Sequence, residues 1–229
     1  MTQYLWERPD WTNFRWKNEN ILLALGECRM LQGKLLSKVA DLGFTLESQA
    51  QIEILTEETL KTALIEGENL NAQVVRSSVA RKLGLPSAGL RVDHYIDGLV
   101  SILLDATKNH EEPLTQKRLF AWHASLFPTG YSGMYKIRVG KWRGDMPMRV
   151  VSGPIGRENI HFEAPPSDRI SSEIGRFFEW WKMSRGNIEG LLRAAIAQFW
   201  FVTIHPFEDG NGRIARSLTD MALSQDDKQ

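Results

Sequence analysis

Apolar residues recur at intervals of three and four along most of this chain, the spacing that lines one face of an α-helix. The pattern predicts helices over residues 21–42, where Leu25, Cys28, Leu31 and Leu35 share a face, and over 52–66, 73–83, 92–107, 115–127, 170–182 and 190–202. In the last of these, Leu192, Ala195, Ile196, Phe199 and Trp200 have the spacing of a buried helix, which should stop near Pro206. Helical spacing resumes at Ile214, Leu218 and Met221 or Ala222. Residues 135–162 break the pattern with Gly, Pro and β-branched residues, and Met148, Arg149, Val150 and Val151 suit a short strand, so a small hairpin is expected there. The fold class is therefore mainly α. Residues 84–89, Gly-Leu-Pro-Ser-Ala-Gly, form the best linker, dividing an N-terminal helical extension (1–89) from a core (90–229).

Composition changes this picture little. The 229 residues, 42% hydrophobic and 24% charged, suit an ordinary globular chain with one fair-sized core or two smaller ones. Lys and Arg together number 28, as do Asp and Glu, so no overall charge draws the chain to nucleic acid or an anionic membrane. The single cysteine, Cys28, excludes an intrachain disulfide and reads as a buried thiol on its helix's apolar side. No signal peptide or run of ~20 apolar residues is present, which makes a cytoplasmic location the default expectation.

The chemistry concentrates in residues 205–216, His-Pro-Phe-Glu-Asp-Gly-Asn-Gly-Arg-Ile-Ala-Arg. This loop joins two helices and places Arg213 and Arg216 in the first turn of the second. There the helix dipole is positive, and the two cations, three residues apart, share a face. An anion resolves both problems. Gly210 and Gly212 let backbone N–H groups converge, the helix start adds donors, and two guanidiniums close over the outside, a combination suited to a polyphosphate. Asp209 then calls for a divalent metal bridging phosphate oxygens. His205, at the loop's mouth, has the intrinsic pKa of a base near neutral pH.

Other motifs fail in detail. The P-loop pattern is missing, and Arg213 stands where a calcium loop needs an oxygen ligand. His94, His110, His123 and His161 have no metal-ligand spacing, and His123, in an apolar helix, reads as a hydrogen-bonded core histidine. The eight tryptophans read as packing anchors.

The 205–216 segment resembles the signature of the Fic domain, His-x-Phe-x-Asp/Glu-Gly-Asn-Gly-Arg-x-x-Arg, at every specified position. The resemblance implies a helical core that transfers AMP from ATP, with Mg2+, to a hydroxyl side chain of a protein. By motif position it makes His205 the general base, Phe207 the loop's structural anchor and Asp209 the magnesium ligand. Gly210, Asn211 and Gly212 become the phosphate cradle, with Asn211 and Arg213 orienting the phosphates and Arg216 holding the γ-phosphate. Residues 141–153 resemble in position the Fic flap, a hairpin that aligns the target segment by strand addition, here through Met148, Arg149, Val150 and Val151; a hairpin that merely covers the core is the alternative.

Residues 62–67, Thr-Ala-Leu-Ile-Glu-Gly, end a helical pattern with an acid where the dipole disfavours one, and Gly67 is a natural C-cap. They resemble the Fic inhibitory motif Ser/Thr-x-x-x-Glu-Gly/Asn: Thr62, Glu66 and Gly67 match, and the resemblance implies that Glu66 pairs with Arg216 and blocks productive γ-phosphate binding. The stretches 6–11, 139–143 and 152–158 are similar to bacterial Fic proteins with an N-terminal helical extension. Fic cores continue beyond the signature helix, so the end at Gln229 points to a truncated core. The implied partners are ATP and a target protein offering a Ser, Thr or Tyr hydroxyl, with a second copy of the chain as a further candidate; neither a membrane nor nucleic acid is indicated. Three readings stay open: an autoinhibited adenylyltransferase, a hydrolase that removes AMP with Glu66 directing a water, and a silent nucleotide-binding regulator.

Overall fold

The computed structural model describes residues 4–40, 44–154 and 157–226, which fall into two compact units. The first, residues 14–93, contains α1 (Asn18–Ala40), α2 (Phe44–Ile65) and α3 (Ala72–Lys82). Helices α2 and α3 pack together, and Ile52, Leu55, Ala63, Val75 and Val79 are buried. Helix α2 ends as its Gly67 predicts: at φ 80° the glycine takes the left-handed turn, its N–H donating to the Leu64 carbonyl (2.9 Å) while the Glu68 N–H reaches that of Ala63 (3.0 Å). Asn71 caps α3, its Oδ1 accepting from the Gln73 N–H at 2.9 Å.

Helix α1 overturns one expectation. Cys28 is exposed, as are Leu31 and Leu35, and Leu23 is 76% exposed. Periodicity revealed the helix, but spacing cannot supply a partner to cover its apolar side.

The second unit, residues 1–13 and 94–229, is built on two helices. Helices α7 (Gly190–Ile204) and α8 (Asn211–Asp226) pack against each other; α4 (His94–Lys108) lies on α8, α5 (Gln116–Leu126) on α4, and α6 (Ile170–Ser184) on α7. Phe177, Phe201, Phe207, Ile204, Ile214, Leu218 and Met221 are its fully buried centre. The first residues join this unit. The Trp11 ring meets Trp200 edge-on at 5.6 Å, the Trp6 Nε1–H donates to the Glu163 carbonyl at 2.6 Å, and Arg176 donates to the Thr12 hydroxyl at 2.7 Å.

Two antiparallel hairpins lie between α5 and α6: β1 (Tyr131–Ser132) with β2 (Tyr135–Lys136), and β3 (Arg149–Ser152) with β4 (Asn159–Glu163). The first was not anticipated. The second corrects the expected flap boundaries, since residues 141–148 are irregular and the strand's partner lies at 159–163, outside 141–153. Gly144 and Pro147 interrupt any strand there, and Arg143 turns inward to be buried. Met148 just precedes β3, its carbonyl accepting from the Ala164 N–H at 2.9 Å. Val150 and Val151, at a register irregularity, are exposed. Among the described residues, no helix is long and apolar enough to cross a membrane.

Candidate active site

Helix α7 terminates at His205, which adopts φ 50°, ψ 59° and is the one non-glycine residue with positive φ among those described. For an L-residue this costs about 1–2 kcal/mol, so the surroundings must impose it. The His205 N–H donates to the Phe201 carbonyl (3.0 Å), and the His205 carbonyl accepts from Arg143 Nε (2.8 Å). The His205 Nδ1 lies 3.1 Å from the Val202 carbonyl. A carbonyl can only accept, so Nδ1 is the donor in this contact, which in the neutral ring leaves the lone pair on Nε2, the tautomer a general base needs.

Phe207 fixes the loop that follows. Its fully buried ring stacks on His123 (centroids 4.2 Å apart) and contacts Trp142 (4.9 Å), while its backbone N–H and carbonyl are both bound by the Asn211 side-chain amide at 2.9 and 2.8 Å. Asn211, 2% exposed, therefore shapes the loop with its side chain. Gly210 has φ 79°, and a Cβ there would lie 2.9 Å from the Phe127 ring and 3.0 Å from Leu126 Cδ1. Both the backbone and the space demand glycine. Gly212 and Arg216 lie in the first two turns of α8, each part-exposed.

His123 confirms the reading of a bonded core histidine and adds a role. It accepts the Gly140 N–H at Nδ1 (3.0 Å) and donates from Nε2 to the Asp209 carbonyl (3.2 Å). Burial lowers its pKa to about 4, so it is neutral and holds the loop with both nitrogens.

Arg213 is 6% exposed rather than closing over the outside. It donates to the Tyr95 hydroxyl (2.9 Å) and to Asp209 Oδ1 (3.2 Å), and lies over the Phe127 ring (5.0 Å). Part of the charge conflict at the start of α8 is thus resolved internally, by a carboxylate near the positive end of the dipole. Burial alone would raise the Asp209 carboxyl, but hydrogen bonds from the Ser132 hydroxyl and the Gly210 N–H, with the Arg213 guanidinium beside it, hold it below the usual carboxylate range. Asp209 is therefore ionised and half-buried at a helix start. Among the described residues no group of three or more His, Cys, Asp or Glu side chains could hold a metal. One hard carboxylate fits magnesium in a different way, as an ion that keeps several waters and takes its remaining ligands from substrate phosphates.

Sequence reasoning missed Arg143, Ser132, Tyr95 and the loop-holding role of Glu208, whose carboxylate accepts the Arg138 N–H at 2.8 Å. Arg143, Ser132 and Tyr95 lie 62, 77 and 118 positions from His205, Asp209 and Arg213, and Glu208 lies 70 from Arg138, so no local spacing could have found these contacts. Glu66 and Thr62 end α2 in the N-terminal unit, whereas Arg216 belongs to the other.

Residues 113–223 match the model of the Fic/DOC family, and residues 4–85 match a domain of unknown function (DUF4172). A comparison with curated proteins found no match. Among solved structures, the chain is similar to a Fic domain containing signaling protein from Bacteroides thetaiotaomicron (20% identity, TM-score 0.66, covering 86% of this chain and 72% of that one). It is also similar to a Fic family protein from Desulfovibrio desulfuricans (21%, 0.57, 92% and 58%) and to Fic-1, residues 134–508, from C. elegans (20%, 0.61, 90% and 59%). The chain spans less than two thirds of the latter two. At these identities the likeness concerns the fold, and the match over residues 113–223, which include the signature loop, identifies that part of the chain as a Fic/DOC domain.

Proposed function

We propose that the protein is an adenylyltransferase moving AMP from ATP to a hydroxyl side chain of a target protein. The observation that carries this reading is His205, held in a strained conformation with Nδ1 against the Val202 carbonyl at the mouth of a glycine-rich helix start. The target oxygen attacks the α-phosphorus and its proton passes to His205 Nε2; the bond from that phosphorus to the bridging oxygen breaks, and pyrophosphate leaves. Gly210, Gly212 and the backbone of Asn211 cradle the phosphates, Arg216 holds the γ-phosphate, and Arg213 orients the loop and the phosphates. Magnesium, held by Asp209, would neutralise phosphate charge. The β3–β4 hairpin, with exposed Val150 and Val151 preceded by Met148 and Arg149, offers backbone to an extended target segment. Glu66, presented by Thr62 and Gly67 at the end of α2, competes for Arg216 and holds the enzyme in check. A cytoplasmic location accompanies this reading.

The test is transfer of label from α-labelled ATP to protein. His205→Ala should lower the rate by ~10²-fold or more while ATP binding, by calorimetry, is nearly unchanged. Undiminished transfer would remove His205 from the mechanism. Loss of label from an already modified target would instead favour AMP removal.

A further inference from the structure

We propose that Arg143 is a positioning residue that holds the backbone of His205 in its left-handed conformation and ties it to the base of the β3–β4 hairpin. The proposal rests on the transfer reading above, because it concerns the aim of the proposed base.

Arg143 is 4% exposed and brackets the end of α7 from two sides. Its Nε donates to the His205 carbonyl at 2.8 Å, and its own backbone N–H donates to the Pro206 carbonyl at 2.9 Å. Two successive carbonyls of the signature loop are thus held by one residue. The guanidinium Nη2 donates to the carbonyl of Pro165. Pro165 lies two residues past the end of β4, and the intervening Ala164 N–H is bonded to the carbonyl of Met148, just before β3. A continuous path of main-chain carbonyls and one side chain therefore links the hairpin's root to His205.

The electrostatics favour a positioning role over simple stabilisation. Among the described residues no carboxylate pairs with Arg143; its buried charge meets carbonyl dipoles. Burying a cation on such terms is costly, and an apolar side chain would fill the space more cheaply. What a planar, forked donor adds is directional control of two carbonyls at once, which a lysine cannot reproduce. The carbonyl it controls belongs to the residue whose imidazole must be aimed, and the positive charge sits at the helix C-terminus, where the dipole welcomes it.

The test compares Arg143→Lys and Arg143→Met in a Glu66→Gly background, with His205→Ala alongside. For Arg143→Lys we expect kcat for AMP transfer to fall at least tenfold, with the Kd for ATP within twofold of the parent. In 15N-edited spectra of the imidazoles, the parent should show His205 protonated at Nδ1, and Arg143→Met should show a tautomer mixture. If Arg143→Met does not fold, the same spectrum of Arg143→Lys decides. Parental kcat and an unchanged His205 tautomer in a folded variant would overturn the proposal, as would a lower Tm with full kcat in the surviving molecules. Parental transfer by His205→Ala would refute the transfer reading instead, and the imidazole spectrum would still report on Arg143.

Discussion

His123 makes the stability of the signature loop depend on pH in a way that can be worked out in advance. In the folded protein its pKa is about 4, because burial disfavours the charged ring, against 6.5 in the unfolded chain. The folded value is depressed, so the stabilisation is complete above pH 6.5, declines as pH falls below that value, and is fully lost below about 4. With 1.36 kcal/mol per pKa unit, the full linkage is about 3 kcal/mol, and at pH 5 about 2 kcal/mol has been lost relative to pH 7.5. Protonation also removes the acceptor for the Gly140 N–H. Urea denaturation of the metal-free protein at pH 7.5 and pH 5 would measure this, with His123→Gln as the reference that cannot titrate at this position. Other groups also titrate across this range, so the quantity of interest is the extra loss in the parent over the variant, expected at about 2 kcal/mol. Parallel losses in both proteins would refute the reasoning and mean that His123 titrates alike folded and unfolded.

Other expectations follow from the same loop. Gly210→Ala should destabilise the protein by about 2–4 kcal/mol, since it combines a left-handed residue with overpacking against Phe127 and Leu126; a Tm within a degree of the parent would show that the loop relaxes freely. Asp209→Ala should weaken ATP binding more with magnesium than without it, as calorimetry in both conditions will show; equal losses would make Asp209 a loop-shaping residue through Ser132 and Arg213. Glu66→Gly should raise protein labelling on the order of a hundredfold if the inhibitory pairing biases the nucleotide by ~3 kcal/mol, whereas an unchanged rate in a folded, ATP-binding variant would sink the autoinhibition idea.

The helices were legible because amphipathic spacing is a local property: the seven expected spans all contain helix, and the eighth follows the signature loop. Even the end of α2 at Gly67 could be read from one residue's tolerance for positive φ. Legibility ended where an outcome depended on a distant partner. The start of α2 at Phe44 precedes the expected Ile52, since residues 47–51, Glu-Ser-Gln-Ala-Gln, carry little periodic apolar signal. Cys28 sits on an apolar stripe and is exposed. The hairpin expected within 135–162 is present, but its second strand, 159–163, lies outside the 141–153 that position suggested, because pairing is settled by backbone geometry rather than by local spacing.

The site divides along the same line. By itself the sequence marked out the candidate residues: a histidine before proline, an acid, two glycines and two arginines at intervals that make sense only around a helix start. Tertiary structure alone decided what each side chain does. It turned Asn211 inward to bind Phe207 and buried Arg213 against Tyr95 and Phe127. It also set His123 beneath the loop and brought Arg143 to the His205 carbonyl. The physical reason is that a motif specifies local backbone and composition, whereas the direction of a hydrogen bond and the burial of a charge depend on groups supplied by other elements. Those groups become neighbours only when the helices pack.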